Sequence, residues 1–270
     1  MMFAEVIGDP IAHSKSPMIH KFWIDAAGID ADYKRSHVRP DALAGYLASA
    51  RADPNWRGCN VTLPHKIAIM ELVNDPGNIR GTIGAMNTIL RQDDGSLIGT
   101  NTDAAGFYAP IAELDLAGAP VVVIGAGGAA RAVLFALSRL GVGPVTILNR
   151  NVLKAAALLS SFGLTGQALA LHAKLPPAAL LVNASSLGMA GQPPLDLDLS
   201  ALPDDAVVYD VVYAPLETVL LAAARSRDLE TVDGLDMLIG QAALAFELFF
   251  GVAPPRDENS DAELRALLTA

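Results

Sequence analysis

Short, unbroken apolar runs alternate along this chain with longer stretches whose apolar positions recur at helical spacing. Phe3 to Gly8 reads as a buried strand. Ser16-Pro17 then opens a helix, with Ser16 as its cap and Pro17 at its first position, and the helix closes near Gly28. Tyr33 to Val38 predicts a second strand, Pro40 to Ala50 a second helix, Trp56 to Thr62 a third strand, and Pro64 the start of a third helix. Strands separated by helices imply parallel pairing through right-handed crossovers. Thr88 to Arg91 and Ser96 to Gly99 flank Asp93-Asp94-Gly95 and predict a hairpin. A helix follows over Asp103 to Leu114. From Ala119 the alternation restarts, with strand Val121 to Ile124, a glycine turn, helix Ala129 to Leu140 stopped by Gly141, and strand Val145 to Leu148. That is one complete βαβ unit. Further strands are predicted at Ala179 to Asn183 and Ala206 to Val211, with a helix around Leu216 to Ala224. Terminal helices follow over Asp236 to Phe250 and Ser260 to Leu268. The interval Gly188 to Asp205, rich in Pro, Gly and Asp, reads as a loop able to cover a site.

A chain of 270 residues fits two medium domains better than one. With 52% hydrophobic and 18% charged residues, it can bury substantial cores. The formal net charge of −10 argues against a nucleic-acid partner, for which a basic face is the usual footprint. Any anion site must therefore be built locally. The single cysteine, Cys59, allows no internal disulfide framework. The start Met1-Met2-Phe3 shows no basic segment followed by a long apolar run. Apolar stretches such as Val121 to Ile124 and Leu235 to Phe250 fall short of the roughly 20 residues of a bilayer span. A reducing, cytoplasmic setting away from membranes is the expectation.

Gly125-Ala126-Gly127-Gly128-Ala129-Ala130 directly follows a predicted strand and opens a predicted helix. This is the dinucleotide-binding spacing with alanine in its last place. Glycines let the backbone turn tightly and approach a pyrophosphate, whose charge the helix-start amides stabilise. The following strand ends Ile147-Leu148-Asn149-Arg150-Asn151. An acidic side chain there would accept hydrogen bonds from a ribose 2′-hydroxyl. This chain has none and offers Arg150, with Lys154 about one helical turn on. A guanidinium suits a 2′-phosphate. NADP is the expected cofactor.

Lys66 and Asp103 stand out as candidates for proton handling. Both follow polar, turn-like segments at strand ends: Asn60-Val61-Thr62-Leu63-Pro64-His65-Lys66 and Gly99-Thr100-Asn101-Thr102-Asp103. Moving a hydride to or from a secondary alcohol also moves the hydroxyl proton. A lysine oriented by a carboxylate can do this. Taken singly, Lys66 also reads as a solvated helix residue and Asp103 as a helix cap.

These segments, with several others in order, resemble the shikimate dehydrogenase family along nearly the whole chain. The others are Gly8-Asp9-Pro10-Ile11-Ala12-His13-Ser14-Lys15-Ser16-Pro17, Gly84-Ala85-Met86-Asn87-Thr88, Asn183-Ala184-Ser185-Ser186-Leu187-Gly188-Met189, Asp210-Val211-Val212-Tyr213-Ala214-Pro215, and Gly234-Leu235-Asp236-Met237-Leu238 with Gln241. The resemblance implies an α/β fold in which an N-terminal substrate domain with a mostly parallel sheet is built from residues 1–103 and 237–270. A Rossmann-type NADP-binding domain, residues 104–236, is inserted, and the C-terminal helices return to the substrate domain. Substrate and nicotinamide are then expected to meet in the cleft between the domains. The implied activity is reversible, NADPH-dependent reduction of 3-dehydroshikimate to shikimate, in the biosynthesis of chorismate and the aromatic amino acids.

The resemblance also implies roles. Ser14 and Ser16 bind the substrate carboxylate, helped by Tyr213. Asn60, Thr62, Asn87, Asp103 and Gln241 hold the ring hydroxyls, and Lys66 with Asp103 is the catalytic pair. Asn149, Arg150, Asn151, Lys154, Met189, Val211 and Gly234 join Gly125, Ala126, Gly127, Gly128 and Ala129 in the cofactor site. Two positions depart from the family's habit: Lys21, where Asn is frequent, and Asn151, where Thr or Ser is frequent. Lys21 is expected on an outer helix face, and Asn151 can still donate to a 2′-phosphate.

His13, His20, His37, His65 and His172 lack metal-ligand spacing, so no metal is expected. Cys59 reads as core. Two other functions compete: a quinate/shikimate dehydrogenase, often NAD-linked, and a catalytically idle NADP-binding paralogue. Ser16, and Arg150 without an acidic neighbour, tilt against the first, and retention of Lys66 and Asp103 against the second. A monomer or homodimer acting on a small molecule is the expected assembly.

Overall fold

A computed structural model describes residues 1–269. The chain forms two compact units, Met1–Thr102 with Ile239–Ala270, and Asp103–Leu238.

The first unit contains β1 (Met2–Gly8), α1 (Ser16–Ala27), β2 (Ala31–His37), α2 (Leu43–Ala52), β3 (Trp56–Val61), the single turn α3 (Ile79–Thr82), β4 (Thr88–Arg91) and β5 (Leu97–Thr100). The sheet order is β2-β1-β3-β4-β5. Its β2-β1-β3 part is parallel, and β3-β4-β5 is antiparallel around the predicted hairpin. One layer of core packs Ile7, Leu43, Leu47, Trp56, Cys59, Val61, Ile69 and Met86 together. α1 buries Ile19, His20, Trp23 and Ile24, the spacing of one helical face. There His20 and Trp23 join Tyr33, Phe246 and Phe249 in an aromatic cluster.

The second unit runs through α4 (Asp103–Tyr108), β6 (Val121–Ile124), α5 (Gly128–Leu140), β7 (Val145–Asn149), α6 (Val152–Ser161), β8 (Gly166–Ala170), β9 (Leu180–Asn183), β10 (Val207–Asp210), α7 (Val219–Arg225) and β11 (Glu230–Val232). α8 (Gly234–Phe250) begins in this unit and ends in the first, which also holds α9 (Glu258–Thr269). The sheet, β11-β10-β9-β6-β7-β8, is parallel throughout. Its central strands β6, β9 and β10 are buried at every position, as a sheet covered on both faces requires. Strand order reverses between β6 and β9, so the turn after β6 opens at a topological switch point, the usual ligand position in such sheets.

Several expectations change. Pro64 starts no α-helix. Thr62 to Lys66 turns tightly, His65 N donating to Thr62 O at 3.0 Å, and a 3-10 turn follows over Ala68–Leu72. The Lys66 carbonyl accepts from Met86 N at 2.8 Å, which diverts it from a helical ladder. Ser16 is not a cap: Lys15 occupies that position without a side-chain cap bond, and Ser16 is the first helical residue. The helix expected over Asp103 to Leu114 ends at Tyr108 and tightens into a 3-10 turn at Ala109–Ile111, where Pro110 lacks an amide hydrogen. Asp103, Met237 and Leu238 fall in the second unit rather than the first. Phe107 of α4 stacks on Tyr209 of β10 at 4.9 Å, and Met237 belongs to that unit's core, which explains the division. The edge strands β8 and β11 carry too little apolar alternation to be read from sequence.

Candidate active site

In the first unit, β2, the carboxyl end of β3, the start of β4, the chain beyond β5 and α8 gather a buried polar cluster. Tyr33 Oη donates to Asn60 Oδ1 at 2.6 Å, while Asn60 Nδ2 donates to Thr88 Oγ1 at 3.1 Å and to the Asn87 carbonyl at 3.4 Å. Asn87 Oδ1 accepts from Thr102 N at 2.7 Å and Thr88 Oγ1 at 3.1 Å. Its Nδ2 donates to Thr102 Oγ1 at 2.9 Å and to Gln241 Oε1 at 3.3 Å. Asn60, Asn87, Thr102 and Gln241 are all buried. Gln241, far away in sequence, is thus brought beside Asn87. The Asn60 carboxamide thus ties Tyr33 to Thr88 and to the Asn87 backbone. The sequence reading missed Tyr33, Thr88 and Thr102. Thr102 lay within a segment already singled out; the only signal for Tyr33 was a polar tip on a buried aromatic, which must find a partner.

Ser14 and Ser16 stand together where the chain enters α1, Ser16 N donating to Ser14 Oγ at 3.3 Å. The loop is held from two sides. Arg35 Nε donates to the Ser14 carbonyl at 3.0 Å, and Lys15 Nζ donates to the Leu268 carbonyl at the end of α9. Both hydroxyls lie at the start of a 12-residue helix, where the macrodipole favours an anion. Thr62 follows β3, with its amide on the Ile7 carbonyl at 3.0 Å. Lys66 is half-buried, its backbone tied to Met86, the residue before Asn87. His65 beside it is structural, its Nε2 lying 2.6 Å from the Val38 carbonyl inside the core. Lys21 pairs with Asp32 at 3.2 Å on the outer surface.

In the second unit, buried Asp103 is the first residue of α4, one peptide bond beyond Thr102. Gly125 has φ +110°, and a Cβ there would meet the Ala184 carbonyl oxygen at 2.9 Å. A Cβ at Gly127 would meet nothing within 4 Å, so the backbone faces open space at the start of α5. No side chain caps that helix. A backbone that a ligand can approach closely, with uncapped amides at its end, fits a pyrophosphate. Past β7, Arg150 and Lys154 are exposed, and Asn151 caps α6 by accepting from Lys154 N at 2.9 Å. Asn149 Nδ2 donates to the Asn151 carbonyl at 2.8 Å and shapes this turn. Two cationic side chains beside a capped helix start fit a 2′-phosphate. Met189, Val211 and Tyr213 are half-buried on the loops after β9 and β10. Gly234 opens α8, where a Cβ would strike the Val211 and Val212 carbonyl oxygens at 2.5 Å.

Among the described residues no group of three or more His, Cys, Asp or Glu is arranged to hold a metal, and no helix is long and apolar enough to cross a membrane.

Family models match three stretches: shikimate dehydrogenase substrate binding domain over residues 6–89, shikimate / quinate 5-dehydrogenase over 109–180, and shikimate 5'-dehydrogenase C-terminal domain over 234–258. The chain is 74% identical over 268 residues to a shikimate dehydrogenase (NADP(+)) of Sphingopyxis alaskensis, covering 99% of this chain and 97% of the other. It is similar, at TM-score 0.85 and 37% identity over 99% of this chain and 100% of the other, to a shikimate 5-dehydrogenase of Thermus thermophilus solved in complex with NADP(H) and shikimate. A ligand-free 5-ketofructose reductase of Gluconobacter sp. strain CHM43 matches at TM-score 0.86 and 31% identity over 98% of each chain.

Proposed function

From the premise that the chain belongs to the shikimate dehydrogenase family, we propose that it catalyses the reversible, NADPH-dependent reduction of 3-dehydroshikimate to shikimate. The observation that carries this reading is the buried Asn87–Thr102–Gln241 cluster, because neutral amides and hydroxyls matched to ring hydroxyls discriminate strongly against an analogue lacking one. Ser14 and Ser16 hold the substrate carboxylate, with Tyr213 as a further hydroxyl donor. Asn60, Thr62, Asn87, Asp103 and Gln241 address the ring oxygens.

When bound, NADPH supplies the hydride that reduces the C3 carbonyl. Gly125 to Ala129 cradle its pyrophosphate, Arg150, Asn151 and Lys154 its 2′-phosphate, and Met189, Val211 and Gly234 its nicotinamide end. The Lys66 ammonium delivers the proton to the C3 oxygen during reduction and takes it back in the reverse direction. Asp103 orients that ammonium. The reaction serves the route to the aromatic amino acids. One cysteine and an acidic balance suit a cytoplasmic enzyme, a monomer or homodimer without nucleic-acid or membrane partners.

Initial rates with shikimate and quinate, each crossed with NADP and NAD, test the proposal. Rapid NADP reduction with shikimate and much slower turnover in the other three combinations is the expected pattern. Equal use of both acids, or a preference for NAD, would make the protein a quinate/shikimate dehydrogenase. No turnover on shikimate would leave a cofactor-binding protein without this activity.

A further inference from the structure

We infer that Asp210 is a positioning residue, whose buried carboxylate locks together the two loops that bear Met189 on one side and Val211 to Tyr213 on the other. This rests on the functional reading above, which assigns those loops to the nicotinamide end and the substrate.

Asp210 ends β10 and is 0% exposed, so it reaches neither substrate nor cofactor directly. Its Oδ1 accepts from Val212 N at 3.0 Å and from Asn183 Nδ2 at 2.9 Å. Its Oδ2 accepts from Thr218 Oγ1 at 2.7 Å, and Thr218 in turn caps α7 by accepting from Leu221 N at 3.2 Å. One carboxylate therefore pins both ends of the 211–218 loop. Asn183, at the end of the neighbouring strand β9, carries the brace across. Its Nδ2 also donates to the Leu187 carbonyl at 2.9 Å, and its Oδ1 accepts from Ser185 N at 3.1 Å and Ser185 Oγ at 2.7 Å. The two loops also meet directly, Ala190 N donating to the Ala214 carbonyl at 2.7 Å.

Every donor to Asp210 in this network is neutral. A buried carboxylate without a cation is costly to ionise, and a packed apolar residue would fill the space at lower cost. Burial does push the Asp210 carboxyl up to about 6, against the pull of its hydrogen bonds from Val212, Thr218 and Asn183. What an apolar residue cannot do is accept three hydrogen bonds that converge from two loops. Asparagine cannot either, since one of its two terminal atoms donates.

The test compares wild type with Asp210→Asn, Thr218→Val and Thr218→Ser. Calorimetry measures binding of NADP and of 2′-phospho-ADP-ribose, which contains the adenine half and both bridging phosphates but no nicotinamide. Steady-state rates with shikimate supply kcat and KM. Asp210→Asn should lower kcat about 10- to 100-fold, the usual reach of a residue that orients site groups from behind. It should weaken NADP and leave 2′-phospho-ADP-ribose affinity unchanged. Thr218→Val should show the same pattern at smaller amplitude, and Thr218→Ser should restore it. If Asp210→Asn does not fold, the two Thr218 variants decide. Parallel loss of both ligands, or wild-type NADP affinity and kcat in the folded variants, overturns the inference. If wild type failed on shikimate, the functional reading would fall, yet the contrast between the two nucleotides would still decide whether the brace acts on the nicotinamide end.

Discussion

His20 makes the first unit sensitive to acid in a way one substitution should remove. Its ring is 0% exposed, and neither nitrogen has a hydrogen-bond partner among the described residues. It stacks on Tyr33 at 3.9 Å with 3° between planes, and Trp23, Phe246 and Phe249 line the rest of the cluster. Burial in this aromatic box lowers its pKa from 6.5 to about 3. The unfolded chain therefore binds a proton that the folded chain refuses. His20's contribution to stability is complete above pH 6.5 and is lost progressively as pH falls toward 3. Each pH unit in that window costs about 1.4 kcal/mol, so the deficit reaches about 2 kcal/mol at pH 5. His20→Phe keeps an aromatic ring, removes the titration, and eliminates two unpartnered nitrogens that each cost about 1–3 kcal/mol. Urea unfolding at pH 7, 6, 5 and 4.5, followed by tryptophan fluorescence, reads this unit directly, because Trp23 and Trp56, the only two tryptophans, both lie in it. The stability gap between variant and wild type should widen in the variant's favour below pH 6.5. Parallel pH curves would refute the reasoning.

Lys66→Ala should reduce kcat by about 100- to 10,000-fold while NADP affinity, read by titration, changes little. Arg150→Gln should weaken NADP by about 2 kcal/mol, a lost charge-assisted bond to phosphate, and leave NAD affinity nearly untouched; equal effects on both would remove Arg150 from the 2′-phosphate site. Gly125→Ala places a methyl 2.9 Å from the Ala184 carbonyl oxygen at φ +110°, so NADP binding should be abolished and melting temperature should fall. Tyr33→Phe leaves the buried Asn60 Oδ1 without its donor at 2.6 Å and should cost about 1–3 kcal/mol in urea unfolding.

Much of this molecule is written locally. The apolar runs at Val121 to Ile124 and Val145 to Leu148 are strands because they are buried on both faces of a parallel sheet, and the glycine turn between them needs backbone geometry that a side chain would obstruct. These signals survive in one dimension because each depends on residues adjacent in the chain.

The rest depends on contacts between distant residues. Pro64 has a helix-start signature, but the Lys66 carbonyl is taken by Met86, so the chain turns instead. Only the fold sets Gln241 and Thr102 around Asn87, gives the Asn60 carboxamide to Tyr33, and places Asp210 between two loops. A polar residue's partner is fixed by the direction of its hydrogen bonds in three dimensions, and spacing along a chain carries no record of that direction. The sequence alone determined the kinds of chemistry available. The tertiary structure decided which polar groups meet, because burial obliges each one to find a partner wherever the packed chain provides it.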